Sequence, residues 1–210
     1  SGSSLSVWDI TDPLNPEIIQ GTLAGTIYTF NSDASKMREF VAHSGASYPA
    51  PEIAGKVGNQ NLRATPPVDL VIVSLPDFLE AANRLADIHT DKSGLTCLVV
   101  TPVMIYNEFS SGKQDPSAIR DFMKLLYDRA TNASEIPRYL LLFGDGSYDN
   151  KSRIANNTNF VPTFQSEESL HPVFTFVTDD FYGLLDDHEG ANGTGSLDMG
   201  IGRIPVATPL

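Results

Sequence analysis

The chain has 210 residues, 14 Lys and Arg against 26 Asp and Glu, a formal charge of −12, 41% hydrophobic residues and a single cysteine. That apolar content offsets the entropy of ordering a backbone and excludes a disordered chain, and the length accommodates two compact domains. The acidic balance repels phosphate backbones and excludes a general nucleic-acid binder, while one cysteine excludes a disulfide framework and a Cys-built zinc site.

Opening on Ser1-Gly2-Ser3 with no Met, the chain reads as a trimmed piece, and those residues are set aside. Residues 4–65 lack helical periodicity. Turn signals at Thr11-Asp12-Pro13, Asn15-Pro16 and Ser32-Asp33 separate short runs such as Thr26–Phe30 and Glu39–Ala42, which predicts several short strands. Too small to stand alone, this β-rich segment is expected to be the tail of a preceding β domain. Thr65-Pro66-Pro67 marks the boundary with a second unit over residues 66–210.

There the pattern changes. Val68–Ser74 is a continuous apolar, β-branched run, the signature of a strand covered on both faces. Pro76 starts a helix with Phe78, Ala82, Leu85 and Ala86 on one face, and Gly94 stands where it should end. Leu95–Val100 is a second buried strand. Asp115-Pro116 caps a helix whose Ile119, Phe122, Met123 and Leu126 keep the apolar stripe; Arg138–Phe143 and Leu197–Val206 supply a third and a fourth strand. Thr208-Pro209 reads as the cap and first turn of a further helix, so the chain is expected to stop as that helix begins. Strands alternating with helices imply right-handed crossovers and an α/β fold, a parallel sheet flanked by helices. No run reaches the roughly 18 apolar residues needed to cross a bilayer, so no membrane span is expected.

Open α/β sheets bind ligands beyond the carboxyl ends of their strands, which directs the search to the segments after Ser74, Val100 and Phe143. The richest is Gly144-Asp145-Gly146-Ser147-Tyr148-Asp149. A dinucleotide fingerprint needs a third glycine where Asp149 stands, and no Gly-Lys-Ser/Thr occurs, so no nucleotide is expected. Asp145, Ser147 and Asp149 alternate like the start of a calcium loop, but Asn150 and Asn156 stand where that loop needs Gly and Glu. A tight turn in which Asp145 holds backbone amides is the simpler reading, and it also weakens the idea of an acid hydrolase using Asp145 and Asp149.

Downstream, Asp179, Asp180, Asp186, Asp187, Glu189 and Asp198 crowd together, and residues 144–210 hold 3 Lys and Arg against 10 Asp and Glu. Such a cluster either stays solvated or gathers oxygen ligands around a hard cation. The candidate metal ligands are Asp145, Asp149, Asp179, Asp180, Asp186 and Asp187, with Ca²⁺ as the ion. Cys97, inside a strand expected to be buried, reads as a packed thiol. His43, His89, His171 and His188 are scattered, without metal-ligand spacing or an evident catalytic partner, and no Gly-x-Ser-x-Gly elbow occurs.

Three segments, Tyr139–Asp149, Val177–Asp187 and Met199–Pro205, resemble the gingipain-like cysteine peptidases, peptidase family C25. Val103–Gly112, Ala118–Phe122, Val7–Pro13 and Asn59–Leu62 add to the likeness, which runs over most of the chain. The resemblance implies a caspase-like fold, with residues 66–210 as the N-terminal half of its catalytic domain. It implies a parent enzyme that is a secreted cysteine endopeptidase on the outer-membrane surface of a Gram-negative bacterium, processing cargo of the type IX secretion system. Its partners would be a protein or peptide substrate, the remainder of its own catalytic domain and outer-membrane secretion components. Calcium stabilisation is a further implication. The family's histidine sits in a Gly-His-Gly-type motif and its cysteine follows a later strand, both beyond the Gly-Arg-Ile-Pro segment, so no catalytic role falls on any residue of this chain. The fragment alone is then expected to be inactive. The competing expectation is a non-catalytic calcium-binding or protein-interaction module of the same fold.

Overall fold

Apolar runs become the strands of a parallel sheet whose alternate side chains feed two separate cores. The structure, a computed structural model, describes residues 5–44, 50–53, 55–167, 170–190 and 193–208. Ser1–Ser3 and the helix start expected at Pro209 and Leu210 lie outside the described residues. The chain divides into two compact units, Ser1–Lys56 and Val57–Leu210.

In the first unit, β1 (Leu5–Asp9) is the middle strand of an antiparallel sheet between β2 (Glu17–Ile19) and β5 (Phe40–Ser44). A two-stranded hairpin pairs β3 (Thr22–Ala24) with β4 (Ile27–Thr29), turning through Gly25 at φ +64°, a conformation that favours glycine. Asp9 is buried with Val7 and is not left bare. Hydrogen bonds from Thr11, then the Arg38 guanidinium, hold its carboxyl down to about 2.

In the second unit, β6 (Leu70–Ser74), β7 (Cys97–Val100), β8 (Tyr139–Phe143) and β11 (Gly200–Ile204) form one sheet of order β11-β8-β6-β7 with all pairs parallel. β6 is buried along its whole length because it has a neighbour on each edge and helices on each face. Leu70 and Ile72 pack with Phe78, Ala82 and Ala86 of the first helical segment, while Val71 and Val73 join the opposite core. That segment begins with a 3-10 turn at Pro76–Phe78 and continues as α1 (Leu79–Ser93). Gly94, left-handed at φ +65°, ends it by donating back to His89 and Thr90.

The opposite core is built by α2 (Pro102–Phe109) and α3 (Pro116–Asp128). Asp115 caps α3 as its sequence predicts, its carboxylate accepting from the Ser117 N–H. Ala118, Ile119, Phe122, Met123 and Leu126 are all buried on one stripe, each large side chain worth about 1.5–3 kcal/mol of burial. The periodicity does not announce α2, because eight residues give too short a stripe. Its start nevertheless carries the same signal as α3: Thr101 Oγ1 accepts from the Met104 N–H and Pro102 occupies the first turn.

Two further departures have local causes. Leu95–Val100 reads as a strand covered on both faces, but β7 lies at the sheet edge, so Cys97, Leu98 and Val99 are half-buried and only Val100 is buried. The polar stretch after β8 contains a small hairpin, β9 (Phe164–Gln165) with β10 (Val177–Thr178), and a 3-10 turn at Asp180–Gly183. The two units part upstream of the Thr65-Pro66-Pro67 signal. Residues 60–63 belong to the second unit, since Glu108 of α2 accepts from Gln60 Nε2 and from the backbone N–H groups of Leu62 and Arg63. Among the described residues no helix is long and apolar enough to cross a membrane.

Candidate functional site at the carboxyl ends of the strands

The loops that leave β8 and β11 meet at the carboxyl edge of the sheet. The N–H groups of Gly144 and Asp145 donate to the carbonyls of Ile204 and Val206, and the Asp145 carbonyl accepts from Phe160 and Val161. Asp145 Oδ1 accepts from the Gly146 N–H and Oδ2 from the Thr158 hydroxyl, so its carboxylate closes the turn from inside. Asp149, buried, accepts from the Ile154 N–H while its own N–H donates to Ser147 Oγ. Gln165 of β9 reaches the same loop through the Tyr148 carbonyl.

Beneath these loops lie two tyrosines. Tyr182 is fully buried and its hydroxyl donates to the Pro162 carbonyl. Tyr106 is 6% exposed and its hydroxyl has no hydrogen-bond partner. Burial, reinforced by Asp115 for Tyr106 and by Asp179 for Tyr182, pushes both hydroxyls up, so both remain neutral donors. A surface cavity of about 280 Å³ opens close by between Asp115, Pro116, Lys151 and Pro162. A larger cavity, about 520 Å³, lies at the opposite, amino ends of the strands, against Leu70, Tyr139, Gly200 and Gly202. It exists because α1 packs over β6 and β7 while the glycines of β11 add no side chain to fill the remaining half of that face. The loop chemistry is at the carboxyl edge, so that edge and not the larger cavity is the candidate site.

The acidic residues have neighbours that the sequence does not show. Asp179 is gripped through both oxygens by Arg203 of β11, at 2.7 Å each. Along one flank of α3, Arg120 donates to the Leu184 and Glu189 carbonyls, Lys124 to the Leu185 carbonyl and Asp187, and the Tyr127 hydroxyl lies 3.0 Å from Asp186 and 3.4 Å from Asp198. Lys124 holds the Asp187 carboxyl below its ordinary value, and Asp186, then burial, then Asp198 push the Tyr127 hydroxyl up to about 12. Asp198 also accepts from the Leu185 N–H. The exposed Asp180 donates its N–H to Thr178.

The six carboxylates named as candidate calcium ligands are not gathered at one point among the described residues. Asp145 and Asp149 serve one loop, Asp179 is paired with Arg203, Asp180 is exposed, and Asp186 and Asp187 contact Tyr127 and Lys124 of α3. Among the described residues no three His, Cys, Asp or Glu side chains converge to hold a metal. An ion at a hundred times its Kd would add about 2.7 kcal/mol. Thermal unfolding in calcium and in chelator is expected to give one melting temperature; a calcium-dependent rise would restore the shared ion.

Among the described residues nothing at this edge is seen to pair a nucleophile with a base. Cys97 is half-buried in β7 among the side chains packed on Ile72 and Phe78, with its thiol directed to the Leu95 carbonyl. His171 accepts from the Val173 and Phe174 N–H groups and stacks near Phe174, and His89 lines the cavity at the amino ends. Arg203, Arg120, Lys124 and Tyr127 were not visible as site residues in the sequence. The available signal was their spacing, with Arg120, Lys124 and Tyr127 on one helical flank beside the apolar stripe.

A parallel sheet flanked by helices, with loops gathered at its carboxyl edge and a preceding antiparallel segment, matches the half domain of a caspase-like fold. The model of peptidase family C25 matches residues 63–210, and the chain belongs to that family of cysteine peptidases. Among solved structures, it is similar to dimeric latent PorU from Porphyromonas gingivalis, with a TM-score of 0.76 and 34% identity over 98% of this chain. The chain spans 21% of the length of that relative. A comparison with curated proteins finds no match.

Proposed function

We propose that this chain builds one wall of the substrate cleft of a gingipain-like cysteine endopeptidase whose Cys–His dyad is supplied by sequence outside residues 1–210. The observation that carries the reading is a C25 match over 63–210 in a chain whose one cysteine is packed in an edge strand with its thiol directed to the Leu95 carbonyl. A cysteine peptidase needs an accessible thiolate activated by a base, and Cys97 is a packing residue. By this reading the half of the sheet face left open beside α1, around Tyr139, Leu141, Gly200 and Gly202, receives the remainder of the catalytic domain. The likeness to PorU supports a secreted or outer-membrane-surface protein of a Gram-negative bacterium that processes cargo proteins of a type IX secretion system.

The test is enzymatic. Purified residues 1–210 are expected to cleave no denatured protein or fluorogenic peptide under reducing conditions. A longer chain that carries this segment with its Cys and His motifs should cleave, should lose about 10³-fold or more on replacing that later cysteine, and should keep its rate with Cys97→Ser. Thiol-dependent cleavage by residues 1–210, abolished by Cys97→Ser, would overturn the reading.

A further inference from the structure

We propose that Arg203 is the positioning residue of the carboxyl-edge wall, one side chain that holds loops 144–149, 160–165 and 178–183 in a single arrangement; its bearing on catalysis rests on reading that edge as a peptidase cleft. Arg203 stands at the end of β11 with its guanidinium turned under all three loops. Its Nη1 donates to the Gly144 carbonyl at 2.9 Å and to the Val161 carbonyl at 2.8 Å. Its Nη2 donates to the Pro162 carbonyl at 3.3 Å and to Asp179 Oδ1 at 2.7 Å, and its Nε to Asp179 Oδ2 at 2.7 Å. All three guanidinium nitrogens are engaged, by groups from three separate stretches of chain. The pair is well shielded, with side-chain exposures of 14% for Arg203 and 24% for Asp179.

The glycines of the Gly144-Asp145-Gly146 turn belong to the same device. A Cβ on Gly146 would stand 3.2 Å from Arg203 Nη1 and 3.2 Å from the Val161 carbonyl, pressing on the guanidinium and the carbonyl it binds by a few tenths of an ångström. Gly144 is at φ +155°, where a Cβ would also meet Val161 at 3.1 Å and Leu75 at 3.2 Å. The Gly-Asp-Gly and Gly-Arg-Ile-Pro segments, far apart in sequence, are thus two halves of one clamp. Lysine cannot replace the arginine, since an ammonium is a point charge that cannot span a carboxylate and carbonyls lying on both sides of a planar fork.

Hydrogen exchange of residues 1–210, read by peptide mass, separates a clamp from an ordinary ion pair. With Arg203→Lys, amides of all three loops are expected to exchange about tenfold faster or more while those of β6 and α3 keep their rates. Asp179→Asn should loosen 178–183 alone, since Gly144, Val161 and Pro162 remain bound. Gly146→Ala, which keeps every charge, should reproduce the effect on 144–149 and 160–165, and it serves as the second variant if Arg203→Lys does not fold. An effect of Arg203→Lys and Asp179→Asn that is identical and confined to 178–183, or a Gly146→Ala chain that exchanges like the parent, would overturn the clamp. In a longer, active chain, Arg203→Lys should raise KM about tenfold with kcat changed less than about threefold; an unchanged KM would sink its positioning role in catalysis. Should no longer chain cleave while the exchange pattern holds, the cleft reading falls and the clamp stands.

Discussion

Replacing Phe122 with alanine is expected to lower the stability of the second unit by about 3–5 kcal/mol, the range for truncating a buried aromatic that leaves a cavity. Phe122 is fully buried on α3, its ring centroid 5.5 Å from that of Phe109 on α2. It stands in the core that also contains Val71, Val73, Leu140 and Leu142 from the sheet. Neither helix can follow a lost ring inward without giving up contacts with the strands, so the site collapses poorly. For a unit of this size the midpoint of thermal unfolding should fall by roughly 10 °C. Ile88→Ala, on the exposed face of α1 at 54% exposure, is the control and should stay within about 0.5 kcal/mol. Urea unfolding followed by circular dichroism measures both, and a Phe122→Ala loss below about 1 kcal/mol would mean that α2 and α3 are not packed as described.

The second large effect concerns Glu108, whose carboxylate binds the segment that enters the α/β unit. It accepts from Gln60 Nε2 at 2.9 Å, from the Leu62 N–H at 2.7 Å and from the Arg63 N–H at 3.2 Å, and Arg63 closes over Phe109 at 4.7 Å. Leu62 is 5% exposed, so its N–H would lose its acceptor where water reaches poorly. Glu108→Ala should cost about 2–3 kcal/mol, as expected for removing a charged acceptor from several donors, and should open residues 57–65 to proteolysis. Burial raises the Glu108 carboxyl, but hydrogen bonds from Leu62, Gln60 and Arg63 outweigh it and hold the group below its ordinary 4.5. A carboxyl lowered in the folded state contributes its stability above the ordinary value and loses it as pH falls through the folded one. The difference between the parent and Glu108→Ala should therefore be full at neutral pH and shrink in acid below 4.5. A pH-independent difference would assign the loss to packing of the glutamate stem.

Much of the α/β unit was legible because its signals are local. Leu70–Val73 is apolar at every position, and a run with no polar alternate is the signature of a strand covered on both faces. Asp115-Pro116 and Gly94 punctuate helices through their own backbone preferences, and both do so in the structure. The eight residues of α2 are too few to show a stripe, and a run of Leu and Val such as β7 does not say whether a strand has one neighbour or two. Family membership was legible for another reason: three motifs in order carry more information than any one of them, and the match over residues 63–210 bears this out.

The site was legible in position but not in chemistry. The turn after β8 lies at the carboxyl edge as α/β topology requires. Acidic residues close in sequence suggested a shared cation because nothing local displays their partners. Those partners are Arg203 for Asp179, Lys124 for Asp187 and the Tyr127 hydroxyl for Asp186, each from an element far away along the chain.

The amino-acid sequence by itself determined the class of fold, the end of α1, the start of α3 and the family, since periodicity, capping and motif order are properties of neighbouring residues. Only the tertiary structure decided what each charge does. An ion pair forms when two side chains meet within about 4 Å, and that meeting depends on strand order and helix placement that no local pattern encodes. Of the aspartates that read as cation ligands in one dimension, Asp179 meets Arg203 in three, and Asp186 and Asp187 meet one flank of α3.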